Sequence, residues 1–333
     1  MWFSPWRRIL RGRSGDAKPS GLRAGTKFVE EDTGVEYTYD PVMKDWKKKV
    51  APYSALVAKD GSTVWAEDAS GKTIASGEAG VDDASVIQSA ATEIGEGKIY
   101  IAKGTYKITQ KVILPAGISM ESEGAIFDLS ELNDVAFQYN SQEQAFNKVA
   151  RIGGFFVQGN PSNAKTAFLH VYRFANQLII ENLRVFEVAK PIKIEGECFN
   201  TKINNIVMSE YDIGIEIIQG DGTKGPNGVI ITNSNVEGGN IAIKIASGYT
   251  VKVDKCNFER NDISAIVVES DASEAKIINN YILSSAFTTG TTYGIHIKTA
   301  RVDILNNTVI IDEDNIGVYF ESPDGTGEYN IKK

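Results

Sequence analysis

Beyond Ala150 the apolar positions fall into two short patterns that alternate along the chain and recur about every 25 residues, within the range expected of stacked structural repeats. In the first, an apolar residue stands two before a corner position: Ile180 before Asn182, Ile203 before Asn205, Ile231 before Asn233, Val253 before Lys255, Ile278 before Asn280 and Leu305 before Asn307. The second follows each corner as apolar, outward, apolar: Ile192-Lys193-Ile194, Ile215-Glu216-Ile217, Ile243-Lys244-Ile245, Ile266-Val267-Val268, Ile295-His296-Ile297 and Val318-Tyr319-Phe320. Alternation with period two predicts half-buried strands, and asparagine tolerates the left-handed backbone of a tight corner. Two registered strand blocks per repeat, with no helix between them, predict an all-β, right-handed parallel β-helix in which each repeat is one coil. A β-sandwich also has short strands, but it gives no reason for both blocks to recur in register.

Upstream, Ile87, Ala90, Ala91 and Ile94 follow i, i+3, i+4, i+7, so a single amphipathic helix is expected, capped by Asp82 and Asp83 and ending at Gly95. Alternating strands with Gly and Pro at the corners follow it. The run VDDASVIQSAATEIGEGKIYIAKGTYKI…LPAGISMESEG resembles the opening of pectate-lyase-like β-helix domains. That resemblance implies that the helix plugs the first coil. Nearer the N-terminus, Thr26–Glu30 and Val35–Asp40 around Asp32-Thr33-Gly34 read as a hairpin, with Trp46 positioned to close a very small core. This stretch, GTKFVEEDTGVEYTYD…W, resembles short modules near the attachment end of tailed-virus structural proteins. The expected organisation is a basic arm over 1–24, a small β-hairpin module over 25–54, a connector over 55–80 and the β-helix over 81–333.

Charge separates these parts. Residues 1–50 carry eleven Lys/Arg against seven Asp/Glu, a net of +4, so the overall −8 leaves −12 for the rest. An acidic body lacks the basic track that nucleic acid requires, so no nucleic acid is expected on the β-helix. The arm, with Arg7, Arg8, Arg11 and Arg13 among Trp2, Phe3, Trp6, Ile9 and Leu10, reads as a docking arm or anchor; a disordered tail and a membrane contact are the alternatives. No apolar run reaches the ~18 residues of a bilayer span, and no secretory signal follows Met1, so a soluble, unexported chain is expected. Cys198 and Cys256 are two isolated thiols, too few for a disulfide framework.

Chemistry must come from outward side chains. Extended back to His170, the outward column of the second block reads His170, Lys193, Glu216, Lys244, Val267, His296, Tyr319. One reading is a solvated charge ladder. The other is a shallow sugar-binding face in which Glu216, His296 and Tyr319 are the candidate glycan-binding residues. A glycosidase would need two carboxylates flanking one bond; this column offers one acid, and Glu237, Glu259 and Asp262 lie in turns where acids are commonly solvated. The Asp pair and Gly-His-Gly motif of polygalacturonase-like proteins are missing, as are the calcium-binding acids with a nearby arginine base of pectate lyases. No catalytic residue, metal site or cofactor is therefore assigned; isolated loop acids such as Asp221 or Asp312-Glu313-Asp314 offer a surface Ca²⁺ site as an alternative.

These features together predict a virion structural protein, a tail spike, fibre or surface decoration, with the β-helix presented to host glycans and the arm and module attached to other virion proteins. A polysaccharide depolymerase, hydrolase or lyase, on the same fold is the alternative, and a cell-surface adhesin is a third, disfavoured by the missing export signal. A homo-oligomer is expected because nothing in the last twelve residues looks able to cover the C-terminal coil; a trimer is what the resemblance to virion spikes implies.

Overall fold

The computed structural model describes residues 9–13, 16–24, 26–30, 36–48, 52–140, 148–173, 175–220, 224–284, 291–298, 301–312, 314–321 and 328–332. Most of the chain winds into a right-handed parallel β-helix, as the repeat predicts. One face is a nine-stranded parallel sheet running from Val112–Pro115 through Val135–Asn140, Ala167–Tyr172, Lys190–Glu195, Ile213–Ile218, Ile241–Gly248, Ser264–Ala272 and Tyr293–Ile297 to Ile316–Phe320. The other two faces come from one bent strand per coil, such as Leu178–Phe186, which in later coils divides into two, such as Ile230–Thr232 and Asn235–Glu237.

The second apolar block is in the register read from the sequence. Ile192, Ile215, Ile243, Ile266, Ile295 and Val318 pair in succession as one inward column. The first five are fully buried and Val318, on the last coil, is partly covered. Burying one such side chain against its neighbours stabilises by roughly 1.5–3 kcal/mol, and the column repeats this on every coil.

The first block slips by one residue at its end. The inward column is Ile180, Ile203, Ile231, Val253, Ile277 and Ile304, not Ile278 and Leu305. The left-handed corner residues are Asn182, Asn205, Asn233, Lys255, Asn279 and Asn306, with φ between 51° and 57°. Each of the last two coils has an Asn-Asn pair, and pattern alone picks the second member. That second residue points inward instead: Asn280, 2% exposed, accepts from the Cys256 amide (2.9 Å) and donates to the Val253 carbonyl (3.1 Å). The outer asparagines do form axial hydrogen bonds, Asn205 donating to Asn182 (2.7 Å) and Asn233 to Asn204 (2.9 Å).

The helix spans Asp83–Ile94 and ends at Gly95 with φ 59°. Its acids do not cap it. Asp82 accepts from the Glu78 amide, while buried Asp83 accepts from the Gly80 amide, the Lys107 amide and Lys59 Nζ (2.8 Å). Asp83 therefore ties the helix to the first coil, and Ala84, Val86, Ile87, Ala90 and Ala91 cover the open end of the core. The stretch read as a connector is an antiparallel meander, Ala55–Asp60, Thr63–Asp68 and Thr73–Glu78, whose first strand pairs in parallel with Gly97–Ile101. It extends the β-helix sheet and shares the capping.

The N-terminal module is a four-stranded sheet. Lys27–Glu30 pairs antiparallel with Glu36–Asp40, which pairs with Asp45–Lys48, and Ile9–Gly12 joins in parallel from the segment read as arm. Trp46 packs edge-on to Phe28 (5.8 Å) and Tyr39 (5.3 Å), and its indole N–H donates to the Pro19 carbonyl. The basic residues Arg7 and Arg8, the turn at 32–34, Asp221 and Glu313 lie outside the described residues.

Candidate glycan-binding face

The outer surface of the nine-stranded sheet carries the column read from the sequence. Register pairing runs Gln138, His170, Lys193, Glu216, Lys244, Val267, His296, Tyr319. Neighbouring members sit about one coil spacing apart, ~4.8 Å. His296 and Tyr319 are thus brought together, with ring centroids 5.2 Å apart. Glu216 is not with them: Lys244 and Val267 intervene, its residue is only 8% exposed, and Lys244 lies 3.9 Å from its carboxylate. The three candidate residues therefore do not form one site.

At the C-terminal end a third ring joins the pair. Tyr293 stacks on Tyr319 (5.1 Å, 29° between planes) and lies 4.8 Å from His296. Glu321, from the coil after His296, holds the imidazole Nε2 at 2.9 Å. A polar group is thus fixed beside a ring surface, with Tyr319 37% exposed. Tyr293 was invisible to a period-two reading because it precedes His296 by three residues, across the tight approach at Gly294, where a Cβ would sit 2.5 Å from the Gly317 carbonyl oxygen.

At the N-terminal end His170 has the same type of partner. Its Nε2 lies 2.9 Å from Glu195 Oε2, and Lys193 Nζ contacts that same oxygen at 2.5 Å. Burial, reinforced by the positive charge of Lys193, holds His170 below its ordinary value near 6.5. Burial works against ionising Glu195, yet the hydrogen bond and charge of Lys193, followed by His170, together keep its carboxyl below the usual range. Tyr172 meets the His170 ring edge-on at 5.4 Å, and the Arg173 guanidinium lies 5.0 Å from the Tyr172 ring centre. Both histidines of the chain thus bond a glutamate two positions beyond their own register partner, on the adjacent coil. A sequence signal existed, since His170/Glu195 and His296/Glu321 are each 25 residues apart.

The acids on the third face are differently placed. Glu237 and Glu259 are register partners on successive coils, but Glu237 pairs with Arg260 (3.1 Å) and Glu259 accepts from Asn257 (3.0 Å). Cys198 and Cys256 are buried, and burial pushes their thiols up to about 12 and about 11. Among the described residues no three His, Cys, Asp or Glu side chains gather as a metal site.

Comparison with solved structures finds low-identity similarities that extend over most of this chain. A Geobacillus virus E2 protein, ORF18, is 14% identical with a TM-score of 0.50, over 94% of this chain and 75% of that one. The tailspike protein of Acinetobacter baumannii phage AM24 is 14% identical (TM-score 0.47), over 96% of this chain and 60% of that one. Endo-xylogalacturonan hydrolase from Aspergillus tubingensis is 13% identical (TM-score 0.48), over 82% and 95%. No protein-family model matches the sequence, and no curated protein matches it.

Proposed function

We propose that the protein is a virion structural component that presents its β-helix to host-surface glycans, attached to other virion proteins by the N-terminal arm and aromatic sheet module. The observation that carries this reading is the ring cluster of exposed Tyr319 with half-buried Tyr293 and His296, with Glu321 beside it. Aromatic faces pack against the apolar face of a pyranose, and a fixed carboxylate accepts its hydroxyl protons. A rigid, acidic body behind a basic N-terminal segment and a module of only four short strands suits a part built to be anchored at one end. The fold shared with a virus-encoded protein is in keeping with that setting. Binding of purified host capsular or cell-wall polysaccharide, measured by calorimetry, is expected for the intact protein, and Tyr319→Ala is expected to weaken it at least tenfold. Equal affinity in the variant would remove the aromatic surface from the site.

A second reading, a polysaccharide depolymerase, is favoured by His170, a histidine held by a carboxylate as general bases are. Release of reducing ends or unsaturated sugars from the same polysaccharide, abolished by His170→Gln, would put that reading first.

A further inference from the structure

The nine-stranded face differs in charge from the body that carries it. Residues 51–333 sum to −12, yet the coils between residues 111 and 193 place Lys111, Arg173, Lys190 and Lys193 on or beside the outward positions of this face, around His170. Their acidic neighbours among the described residues include Asp134, Glu195 and Asp212, whose amide donates to the Ala189 carbonyl beside Lys190. Asp134 pairs with Lys111 (3.2 Å), and Glu195 is shared by His170 and Lys193. Glu216, the register partner of Lys193 on the next coil, lies 3.9 Å from Lys244 on its other side. None of the ion pairs among the described residues engages Lys190.

We propose that His170, Lys193, Arg173 and Tyr172 form a subsite for the carboxylate of an acidic sugar, so that the glycan recognised by this face is anionic. This rests on the glycan-binding reading and names the class of glycan. Lys193 carries three donors and directs one at Glu195 Oε2, which leaves donors for a ligand on an ammonium whose side chain is 26% exposed. The Arg173 guanidinium, over the Tyr172 ring, has the planar fork that matches a carboxylate. Glu195 fixes His170 through Nε2, so the ring is oriented before any ligand arrives. Charge decides the location as well as the class. An acidic polysaccharide is repelled by a −12 body everywhere except at a local excess of cations, whereas a neutral sugar gains nothing from them.

The chain contains two histidines, so its imidazole NMR signals separate the two ends of the face without further labelling strategy. Titrating the full-length protein with sodium glucuronate is expected to shift the His170 resonances and raise the His170 pKa, because an added carboxylate favours imidazolium. Glucose at equal concentration is expected to leave His170 unmoved, and Lys193→Gln is expected to abolish the glucuronate response while unchanged His296 signals report an intact fold. Equal shifts with glucose would overturn the anionic class but leave the glycan-binding reading standing. Failure of glucuronate to move His170, or an undiminished response in Lys193→Gln, would overturn the subsite, and the Tyr319→Ala calorimetry then decides the broader reading independently.

Discussion

Gly239 lies under the buried ring of Tyr211, whose hydroxyl spans to Asn261 Oδ1 at 2.5 Å, 50 residues along the chain. A Cβ at 239 would overlap that ring and sit 2.6 Å from the Tyr211 carbonyl oxygen, with backbone unable to yield. Gly239→Ala should therefore destabilise by about 1–3 kcal/mol, the usual cost of overpacking, read from the urea midpoint at unchanged slope. His170 and Glu195 set a pH dependence at the same scale. Both have native values below their ordinary ones, so the unfolded chain binds more protons and stability rises with pH. Their contribution is complete above the ordinary imidazole value of 6.5. It declines as pH falls through that value toward the lower native one, and a second loss begins below the ordinary carboxyl value of 4.5. Denaturation midpoints measured across this range should show the upper loss in the intact protein and not in His170→Gln.

Among the elements, the capping helix depends most on one side chain. Asp83 is fully buried and accepts from two backbone amides and from Lys59, whose side chain is 15% exposed. Removing the carboxylate leaves a nearly buried ammonium and two amides without their acceptor. Asp83→Ala is expected to cost about 3–5 kcal/mol, as for other broken buried ion pairs. Because the helix covers the first coil, hydrogen exchange should accelerate first in Gly97–Ile101 and Thr105–Lys107; uniform acceleration along all coils would show that the cap is not a separable element. The aromatic module stands apart in this respect, its small core being built around Phe28, Tyr37, Tyr39 and Trp46 among the described residues.

For the whole molecule, the asymmetry of the two ends matters most. The N-terminal end has the helix and the meander across it. At the other end, Glu328–Lys332 extends the ladder of Arg301–Leu305, while Thr308–Ile311 and Ile316–Phe320 each pair on one side only among the described residues. Those two strands, Thr-Val-Ile-Ile and Ile-Gly-Val-Tyr-Phe, contain no charged residue. Ile310 and Ile311 are 42% and 47% exposed. Uncharged edges of this kind invite pairing, and we propose that the protein associates with itself. Light scattering on the full-length protein is the check, and a stable monomer of 36.3 kDa would contradict it.

The coil, its register and the outward column were legible because period-two burial flips every side chain if the register slips by one, so Ile192 to Val318 had a single workable alignment. The helix and its end at Gly95 were legible from local spacing. Where two neighbours had equal local claims, as at Asn279-Asn280 and Asn306-Asn307, only the wound chain decided which turns the corner and which enters the core. Local pattern likewise could suggest Asp82 and Asp83 as caps, but it could not know that Lys59 and the Lys107 amide would converge on Asp83 from 24 residues away on either side. Tyr293, Glu195 and Glu321 joined the histidines for the same reason. Periodicity determines which way a side chain points, and coil length, which varies from repeat to repeat, determines what it meets.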